Sequence, residues 1–559
     1  MGTVRNPVLP GFHPDPSILY RDGWYYLANS TFEWFGGVEI HRSRDLANWE
    51  FVCRPLSTMQ HLDMTGNPAS GGIWAPCLSW ADGRFWLIFT DVKTWNMEPF
   101  KDTPNYLCTA ENVTGPWSQP VFLNCSGFDP SLFHDEDGRK WLVNMEWDYR
   151  KPGTAKFSGI LLQELDASSL SLKGPVTKIW KGTDIGLVEG PHLYRKDGWY
   201  YLVCAEGGTE YDHAVSVARS RSITGPYETH PGNPLCSSRG DHSLYLQKAG
   251  HGSWCQGRDG HWTLACLVGR PLPGTQRCVL GRETALAPLV WVDDWPYLAS
   301  GGNTPPASFE VPWSTASVPE RAMEYHFDAA GSGRFLEDFM TLRLPFDGDR
   351  FSFTQRPGWL AIRGGESLIC RHGQSLVARR QQDYDFDAQT RVDFDSNSFQ
   401  QMAGLVYRYD ENNWYYLCIT WDENIGSRIL KLLMMDAGGF SMPPMAISLA
   451  GADSGRGTDQ TEGVLAPQPD GIPLPAGPVR LRAEVRGPDL RFMWATDEGV
   501  WQPAGPVLDA SILSDEYDSQ GFTGAFVGMA CQDLENRSAT AYFEYFRYTA
   551  GRSTSGTAP

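Results

Sequence analysis

The amino-acid sequence predicts an all-β protein in which a five-bladed β-propeller is followed by a β-sandwich. Three observations carry this prediction. A short pattern recurs five times over the first 300 residues, the rest of the chain alternates apolar and polar residues without that repeat, and helical periodicity is nearly absent. Aromatic residues make up 13% of the chain, which suits strands. A length of 559 residues predicts two or three domains.

Each copy of the repeat begins at one column residue and reaches an Asp-Gly pair seven or eight positions later. The column residues are Asp15, Trp74, Asp129, Glu189 and His251, which lie 59, 55, 60 and 62 residues apart. The pairs are Asp22-Gly23, Asp82-Gly83, Asp137-Gly138, Asp197-Gly198 and Asp259-Gly260. Each pair separates two hydrophobic runs and predicts a hairpin, because a type I′ turn needs positive φ at both central residues. Repeats of about 60 residues with several short strands predict propeller blades.

The further strands of each blade follow in order. Second strands are predicted from Trp24, Arg84, Lys140, Trp199 and His261. Third strands are predicted in the first four copies, from Val38, Tyr106, Ile160 and Val215. Turns such as Thr114-Gly-Pro-Trp117 then lead to a fourth strand. Asp241 also resembles a column start, but it lies only 18 residues before Asp259, so the spacing favours His251.

The repeat ends near residue 300. We therefore expect the propeller over residues 1–305, a linker over 306–324, the sandwich over 325–550 and a disordered tail over 551–559. Strand-like alternation in the sandwich is clearest near Leu360, Gln389, Trp414, Val479 and Ala541. The segment Ala452–Ala476, rich in Gly, Pro, Asp and Thr, predicts a long loop.

Bulk properties exclude several classes of protein. A net charge of −19 disfavours nucleic acid as a partner, because phosphates would be repelled. The N-terminal segment lacks a signal-peptide pattern, and no apolar run is long enough for a membrane span. The 12 scattered cysteines are interpreted as reduced core thiols, which predicts a cytoplasmic location. The Gly-x-Ser-x-Gly, His-Glu-x-x-His, Cys-x-x-Cys and Walker patterns are missing from the sequence.

The column residues are candidates for catalysis. The first strand of each blade lines the axis of a propeller, so the five column side chains should converge on one pocket. Three carboxylates there repel one another, and the pKa of one should rise. A protonated carboxylic acid beside an ionised one is what glycoside hydrolysis requires. Turn capping by the single acids, packing by Trp74, and metal binding by the acids with His251 remain alternatives at this point.

At these residues the sequence resembles glycoside hydrolase family 43, in particular its two-domain β-xylosidases. The motifs that carry the resemblance are Asn6-Pro-Val-Leu-Pro-Gly-Phe-His-Pro-Asp-Pro-Ser17, Gly72-Ile-Trp-Ala-Pro76, Gly127-Phe-Asp-Pro-Ser131, Val188-Glu-Gly-Pro-His192, Leu280-Gly-Arg-Glu-Thr284 and Gly521-Phe-Thr-Gly-Ala-Phe-Val-Gly528. The resemblance spans nearly the whole chain. It implies an inverting hydrolase on a five-bladed propeller with a concanavalin-like sandwich.

The resemblance also implies a role for each catalytic acid. Asp15 would be the general base, Glu189 the general acid, and Asp129 the residue that raises the pKa of the acid and orients it. Inversion implies that acid and base lie roughly 6.5–9.5 Å apart.

The remaining site residues follow from the same resemblance. Arg282 would bind sugar hydroxyls, and Phe32 and Trp74 would form the wall of the terminal xylose subsite. A sandwich loop would close the pocket with Phe522 or Phe526, and we take Phe522. His251 would lie near the catalytic centre, where some relatives bind a divalent cation, often Ca²⁺. No cofactor is expected to be required, and assembly as dimers or tetramers is expected.

The sequence therefore predicts an exo-acting β-1,4-xylosidase that acts on xylobiose and longer xylo-oligosaccharides and also accepts α-L-arabinofuranosides. The alternative is an α-L-arabinofuranosidase as the main activity. A retaining fructan hydrolase would share both domain types, but its Asn-Asp-Pro motif is replaced here by His13-Pro-Asp-Pro. A sugar-binding propeller without turnover is the non-enzymatic alternative, and three convergent acids disfavour it.

Overall fold

A computed structural model describes residues 2–96, 99–315, 322–328, 332–445, 470–497, 499–518 and 521–551. Nearly all of its regular structure is β, which confirms the predicted fold class. Within these ranges there is one α-helix, Ser332–Asp338, and no helix long and apolar enough to span a bilayer. The predicted tail from residue 552 and the predicted loop up to residue 469 lie outside the described residues.

Five antiparallel sheets form the propeller, each from one continuous stretch of chain. The first two blades consist of Ser17–Arg21, Trp24–Asn29, Glu39–Ser43 and Glu50–Cys53, then Gly72–Ala81, Arg84–Val92, Asn105–Ala110 and Val121–Asn124. The third consists of Ser131–His134, Lys140–Trp147, Phe157–Asp166 and Ser171–Trp180. The fourth consists of Glu189–Lys196, Trp199–Glu206, Ala214–Ser220 and Glu228–Thr229, with Cys236–Ser237 also on its third strand. The fifth consists of Gln247–Gln256, Trp262–Gly269, Arg282–Val292 and Trp295–Leu298.

The Asp-Gly hairpins take two forms. In blades one, two and four the two residues alone join the strands, and Asp and Gly both have positive φ, as at Asp22 (50°) and Gly23 (79°). This is the pattern that a type I′ turn requires. Blades three and five use longer loops, because His134 and Lys140 form the last pair in one, and Gln256 and Trp262 in the other. The Asp-Gly signal therefore located every hairpin but not every turn length.

Part of the segment predicted as a linker, 306–324, is paired in sheets. Ser308–Val311 forms an antiparallel pair with the N-terminal strand Gly2–Arg5. Ala322–His326 pairs with the long strand Thr540–Ala550 of the sandwich. Residues 316–321 between these strands lie outside the described part of the chain.

In the part of the sandwich that the structure describes, the strands form two sheets of nine strands each. In order, one contains Phe351–Ser352, Leu360–Arg363, Thr540–Ala550, Asp385–Asp393, Val479–Arg486, Asp489–Thr496 and Gln502–Pro503, with Ala322–His326 and Leu508–Asp509 at its sides. The other contains Gly439–Ser441, Ser427–Asp436, Trp414–Asp422, Gln401–Arg408, Phe526–Asp533, Ser375–Arg380, Phe339–Leu342 and Trp34–Phe35, with Ile472–Pro473 beside Ser427–Asp436. Buried and partly exposed residues alternate along Asp385–Asp393, as expected for a strand with one face on the core.

The two domains share a sheet. Trp34 and Phe35 leave the first blade and pair with Leu342 and Thr341 of the sandwich. The Trp34 ring stacks on Phe526, with 3.8 Å between ring centroids. Because one domain supplies an edge strand to the other, loops of the sandwich are held against the propeller.

Candidate active site

All five column residues line one cavity of about 360 Å³. They come from five different blades, so the cavity lies where the inner strands converge. The other predicted residues on its lining are Phe32, Arg282 and Phe522. The volume lies within the usual range for pockets that bind small molecules. Asp241 does not line the cavity; it is exposed and accepts a hydrogen bond from its neighbour Ser243.

An unusual backbone conformation marks the column in every blade. Asp15, Asp129 and His251 themselves have positive φ, at 51°, 56° and 48°. In blades two and four the residue after the column residue has a positive φ instead, at Ala75 (38°) and Gly190 (57°). A non-glycine residue in this region is uncommon, and such conformations cluster at functional sites. At Gly190 a Cβ atom would also lie 3.1 Å from the His251 ring, so both backbone and space favour glycine.

Asp15 is buried and held in place by a hydroxyl. The Ser30 hydroxyl donates a 2.6 Å hydrogen bond to Asp15 Oδ2, and the same oxygen of Ser30 accepts the Ala75 N–H at 2.7 Å. The other carboxylate oxygen lies 3.8 Å from His251 Nδ1 and 4.0 Å from Arg282 Nη1. One oxygen of Asp15 is therefore fixed, and the other is turned toward the cationic side of the pocket.

Glu189 and Asp129 form a coupled pair of carboxyl groups. Burial raises the pKa of Glu189 to about 7, and the charge of Asp15 adds to the rise while Lys101 opposes it. Burial and the charge of Glu189 raise the pKa of Asp129 well above its usual range, against a 3.1 Å hydrogen bond from the Gly190 N–H. Like charges in one pocket cannot both ionise easily, so the raised pKa values of Glu189 and Asp129 favour a retained proton on this pair near neutral pH.

Arg282 connects the pocket to the sandwich. It begins the third strand of blade five and is 4% exposed. Its guanidinium donates to Thr209 Oγ1 at 2.6 Å and to the carbonyl oxygen of Phe522. It also lies 5.3 Å from the Phe32 ring centroid and 5.4 Å from that of Phe522. A single cation thus fixes the sandwich loop beside Asp15.

Aromatic rings form one wall of the cavity. The Trp74 ring lies 5.8 Å from Phe32, 5.5 Å from Phe128 and 5.7 Å from Phe522, in tilted or edge-on arrangements. Ser70 positions two of these residues. Its carbonyl accepts the Trp74 indole N–H at 2.8 Å, and its hydroxyl accepts the backbone N–H of Phe522 at 2.9 Å. The wall is therefore built from both domains.

Of the two candidate sandwich phenylalanines, only Phe522 lines the cavity. Phe526 is fully buried between the domains, stacked on Trp34 and 6.0 Å from Phe12. It begins a sandwich strand, whereas Phe522 lies in the preceding loop, which reaches over the propeller.

Several lining residues have no counterpart among the sequence predictions. Lys101 lies between strands of blade two, and its ammonium is 5.1 Å from the Phe128 ring. Burial lowers the pKa of Lys101 to about 8, although the charges of Glu189 and Asp129 oppose this. Thr209 also lines the cavity, and Ser30 holds Asp15. Loop residues of this kind occupy no position of the repeat, so its spacing could not find them.

The residues around the axis do not assemble a three-donor metal site. Within the described ranges, His, Cys, Asp or Glu ligand atoms come within 4.8 Å of one another in groups of three at His13–Glu39–His41 and at Glu366–Cys370–His372. Neither group includes His251. Ca²⁺ takes six to eight oxygen ligands, whereas His251 faces one Asp15 oxygen with the Arg282 guanidinium close by.

This geometry combines a carboxylate fixed by a hydroxyl, a proton-retaining pair of carboxyls and an aromatic wall, as in enzymes that cleave glycosidic bonds. A family model described as glycosyl hydrolases family 43 matches residues 4–296. A model described as the β-xylosidase C-terminal concanavalin A-like domain matches residues 326–549. The chain belongs to glycosyl hydrolase family 43, and it is a glycoside hydrolase of an inverting family.

Similar proteins match over nearly the full length. The chain is 47% identical to "Xylosidase/arabinosidase 43B" of Humicola insolens, over 98% of each chain. It is 44% identical to "Beta-xylosidase" of Bacillus subtilis (strain 168), over 98% of this chain and 99% of that one. A crystal structure of xylan beta-1,4-xylosidase from Bacillus halodurans C-125 superposes with a TM-score of 0.87 at 48% identity, covering 98% of this chain and 100% of the other.

Proposed function

We propose that this protein is an exo-acting β-1,4-xylosidase that releases D-xylose from the non-reducing ends of xylobiose and longer xylo-oligosaccharides. The observation that carries the proposal is the cavity itself: three buried or part-buried carboxyl groups line it together with an aromatic wall, and Phe522 of the sandwich belongs to that wall. A pocket closed on one side admits a chain end rather than the middle of a chain. The names of the relatives reported above support xylose as the sugar.

In the proposed mechanism Asp15 is the general base. Its carboxylate takes a proton from water as the water oxygen attacks the anomeric carbon from the face opposite the leaving group. Glu189 is the general acid, and its proton moves to the glycosidic oxygen as the bond from that oxygen to the anomeric carbon breaks. The products are α-xylose and a shortened chain. Asp129 keeps the proton available on Glu189, because ionising both members of the pair is unfavourable.

The remaining side chains bind and orient the sugar. Arg282 offers guanidinium N–H groups to the hydroxyls, and we propose that Phe32, Trp74 and Phe522 contact the apolar faces of the ring. His251 lies beside Asp15 at 3.8 Å, and burial lowers its pKa. A neutral imidazole can donate or accept one hydrogen bond there without adding charge.

We also propose a side activity on aryl α-L-arabinofuranosides, which the printed name of the Humicola relative supports. α-L-Arabinofuranosidase as the main activity is not favoured, because two of the three relatives above carry xylosidase names without that activity. The ratio of kcat/KM for the two nitrophenyl glycosides separates these cases. A larger kcat/KM for the arabinofuranoside than for the xyloside would make arabinofuranosidase the main activity.

We further propose a cytoplasmic location and a dimer or tetramer. Several thiols, such as Cys204, Cys266 and Cys418, are buried among apolar side chains, where they pack as small hydrophobic groups. This supports a reducing compartment. Sedimentation velocity of the purified chain would give its oligomeric state.

Inversion is tested by one NMR time course on xylobiose. We expect the α-anomer of xylose to appear first, with the β-anomer growing only by mutarotation, because water attacks the face opposite the leaving group. Initial release of β-xylose would contradict the assignment of Asp15 as base. An absence of xylose release would contradict the proposed substrate.

The pH profile should depend on the carboxyl pair. Burial raises the pKa of Glu189 to about 7, so the acid stays protonated below that pH and loses its proton above it. We expect kcat/KM to fall as pH rises through about 7. In Asp129→Asn the fall should begin at lower pH, because Glu189 no longer shares a proton with a second carboxyl. If kcat/KM falls over the same pH range in Asp129→Asn as in the wild type, Asp129 does not control the pKa of Glu189.

A further inference from the structure

A strip of aromatic rings leads from the cavity to the protein surface. It begins at the buried Phe128, continues to Phe157 at 6.0 Å, and reaches Trp147 at 5.4 Å from Phe157. The Trp147 indole N–H donates to the carbonyl of Pro99 at 3.0 Å, which ties the strip to the loop that carries Phe100. The strip therefore crosses from blade three to blade two.

The strip ends in two exposed rings. Phe100 is 66% exposed and Tyr149 is 52% exposed, and their centroids are 5.1 Å apart. Both rings lie close in the chain to residues already described. Lys101, which lines the cavity, follows Phe100, and Trp147 of the strip precedes Tyr149 by two residues. Large apolar side chains paired on a surface next to a cavity commonly mark a binding surface.

The strip begins at residues that share the cavity lining with Glu189. Lys101, Phe128 and Phe157 line the cavity together with Glu189, and the Lys101 ammonium lies 4.3 Å from the centroid of the Trp147 ring. Since a general acid must contact the leaving oxygen, the sugars beyond the cleaved bond extend from Glu189 outward. Lys101 and Trp147 connect this cavity to the exposed pair, because Lys101 adjoins Phe100 in the chain and Trp147 is bonded to Pro99.

We propose that Phe100 and Tyr149 form a platform that binds the reducing-end xylose units of oligosaccharides longer than xylobiose. The proposal rests on the function proposed above. Xylose has no hydroxymethyl group, so its ring faces are largely C–H and fit against aromatic rings. On this proposal xylobiose fills the pocket and the position next to Glu189, and only longer chains contact the pair. The platform would then favour longer chains.

The test compares substrates within one variant. The measured quantity is kcat/KM for xylotetraose divided by kcat/KM for xylobiose. In Phe100→Ala and in Tyr149→Ala we expect this ratio to fall roughly three- to tenfold, a change typical of losing one aromatic contact. The ratio is internally normalised, so a partly misfolded preparation does not change it. Phe122→Ala is a matched control, because Phe122 is 56% exposed and paired with Tyr106 on the outer part of blade two.

The outcomes separate this proposal from the proposed function. An unchanged ratio in both variants overturns the platform while leaving the xylosidase intact. If the wild-type chain cleaves neither oligosaccharide, the proposed function fails instead. If the ratio is unchanged but either variant sediments as a smaller species, the pair is an interface between copies of this chain, and the platform is again refuted. A fall of the same size in Phe122→Ala would also overturn it.

Discussion

Replacing Glu189 by alanine should lower kcat/KM for xylobiose about 10²- to 10⁴-fold, the range that a general acid contributes. The size of the loss should depend on the leaving group. Xylose leaves as a strongly basic alkoxide unless it is protonated, whereas dinitrophenolate leaves without help. We therefore expect the loss on dinitrophenyl β-xyloside to be at least tenfold smaller than the loss on xylobiose. An equal loss on both substrates would contradict the role of Glu189 as acid.

The Tm of Glu189→Ala shows whether its loss of activity is a chemical effect or a result of misfolding. Burial raises the pKa of Glu189 to about 7, above its value of about 4.3 in the unfolded chain, so the free energy of unfolding falls as pH rises between these values and the loss is complete above about 7. Glu189→Ala should therefore have a Tm at pH 8 no lower than that of the wild type. Glu228→Ala provides a control on the same blade. Glu228 is exposed on the outer strand, and Arg219, its ion-pair partner, also donates to the carbonyl oxygens of Asp293 and Asp294, so activity and Tm should stay near wild type.

The repeat explains why the centre of the site could be predicted from the sequence. A propeller places equivalent positions of its blades around one axis, so Asp15, Trp74, Asp129, Glu189 and His251 could be brought together without coordinates. Their carboxylates then stood out, because a purely structural repeat gives no reason for unlike polar residues in one column. The structure brings all five to the same cavity. Their individual roles remain predictions, which substitution of Asp15, Asp129 and Glu189 would test.

Other parts of the site depend on tertiary contacts that carry no periodic signal. Ser30 touches Asp15 only because the loop after the second strand returns to the axis, and Lys101 reaches the acids from another irregular segment. The choice between Phe522 and Phe526 also depended on where the sandwich lies. Strand pairing of Trp34 and Phe35 with the sandwich settles that position, and two isolated aromatic residues give no strand signal.

The sandwich contributes to the site through its backbone as well as through a ring. Arg282 donates to the carbonyl oxygen of Phe522, and the N–H of Phe522 donates to Ser70. The propeller therefore fixes both the carbonyl and the N–H group of Phe522, and with them the loop. Because Arg282 also lies 4.0 Å from Asp15, loop position and catalytic electrostatics are linked through one guanidinium. The second domain is in this sense part of the active site.

Replacing Asp15 should affect every substrate alike. The general base acts on water, not on the leaving group, so Asp15→Ala should lower kcat/KM about 10²- to 10⁴-fold for xylobiose and for dinitrophenyl β-xyloside by similar factors. This uniform loss contrasts with the graded loss expected for Glu189→Ala. A loss confined to xylobiose would assign Asp15 to the leaving group, and near-normal turnover would remove it from the mechanism.

Asp15→Asn distinguishes proton transfer from positioning. The amide keeps the size of the side chain and an oxygen that can accept the Ser30 hydroxyl at Oδ2, but it cannot take a proton from water. We expect its activity to fall as far as that of Asp15→Ala. Substantial activity in the asparagine variant would mean that Asp15 acts by holding groups in place.

Asp241→Ala is the control for the other candidate column start. Its carboxylate is exposed and bonded to Ser243, so loss of that group should leave turnover unchanged.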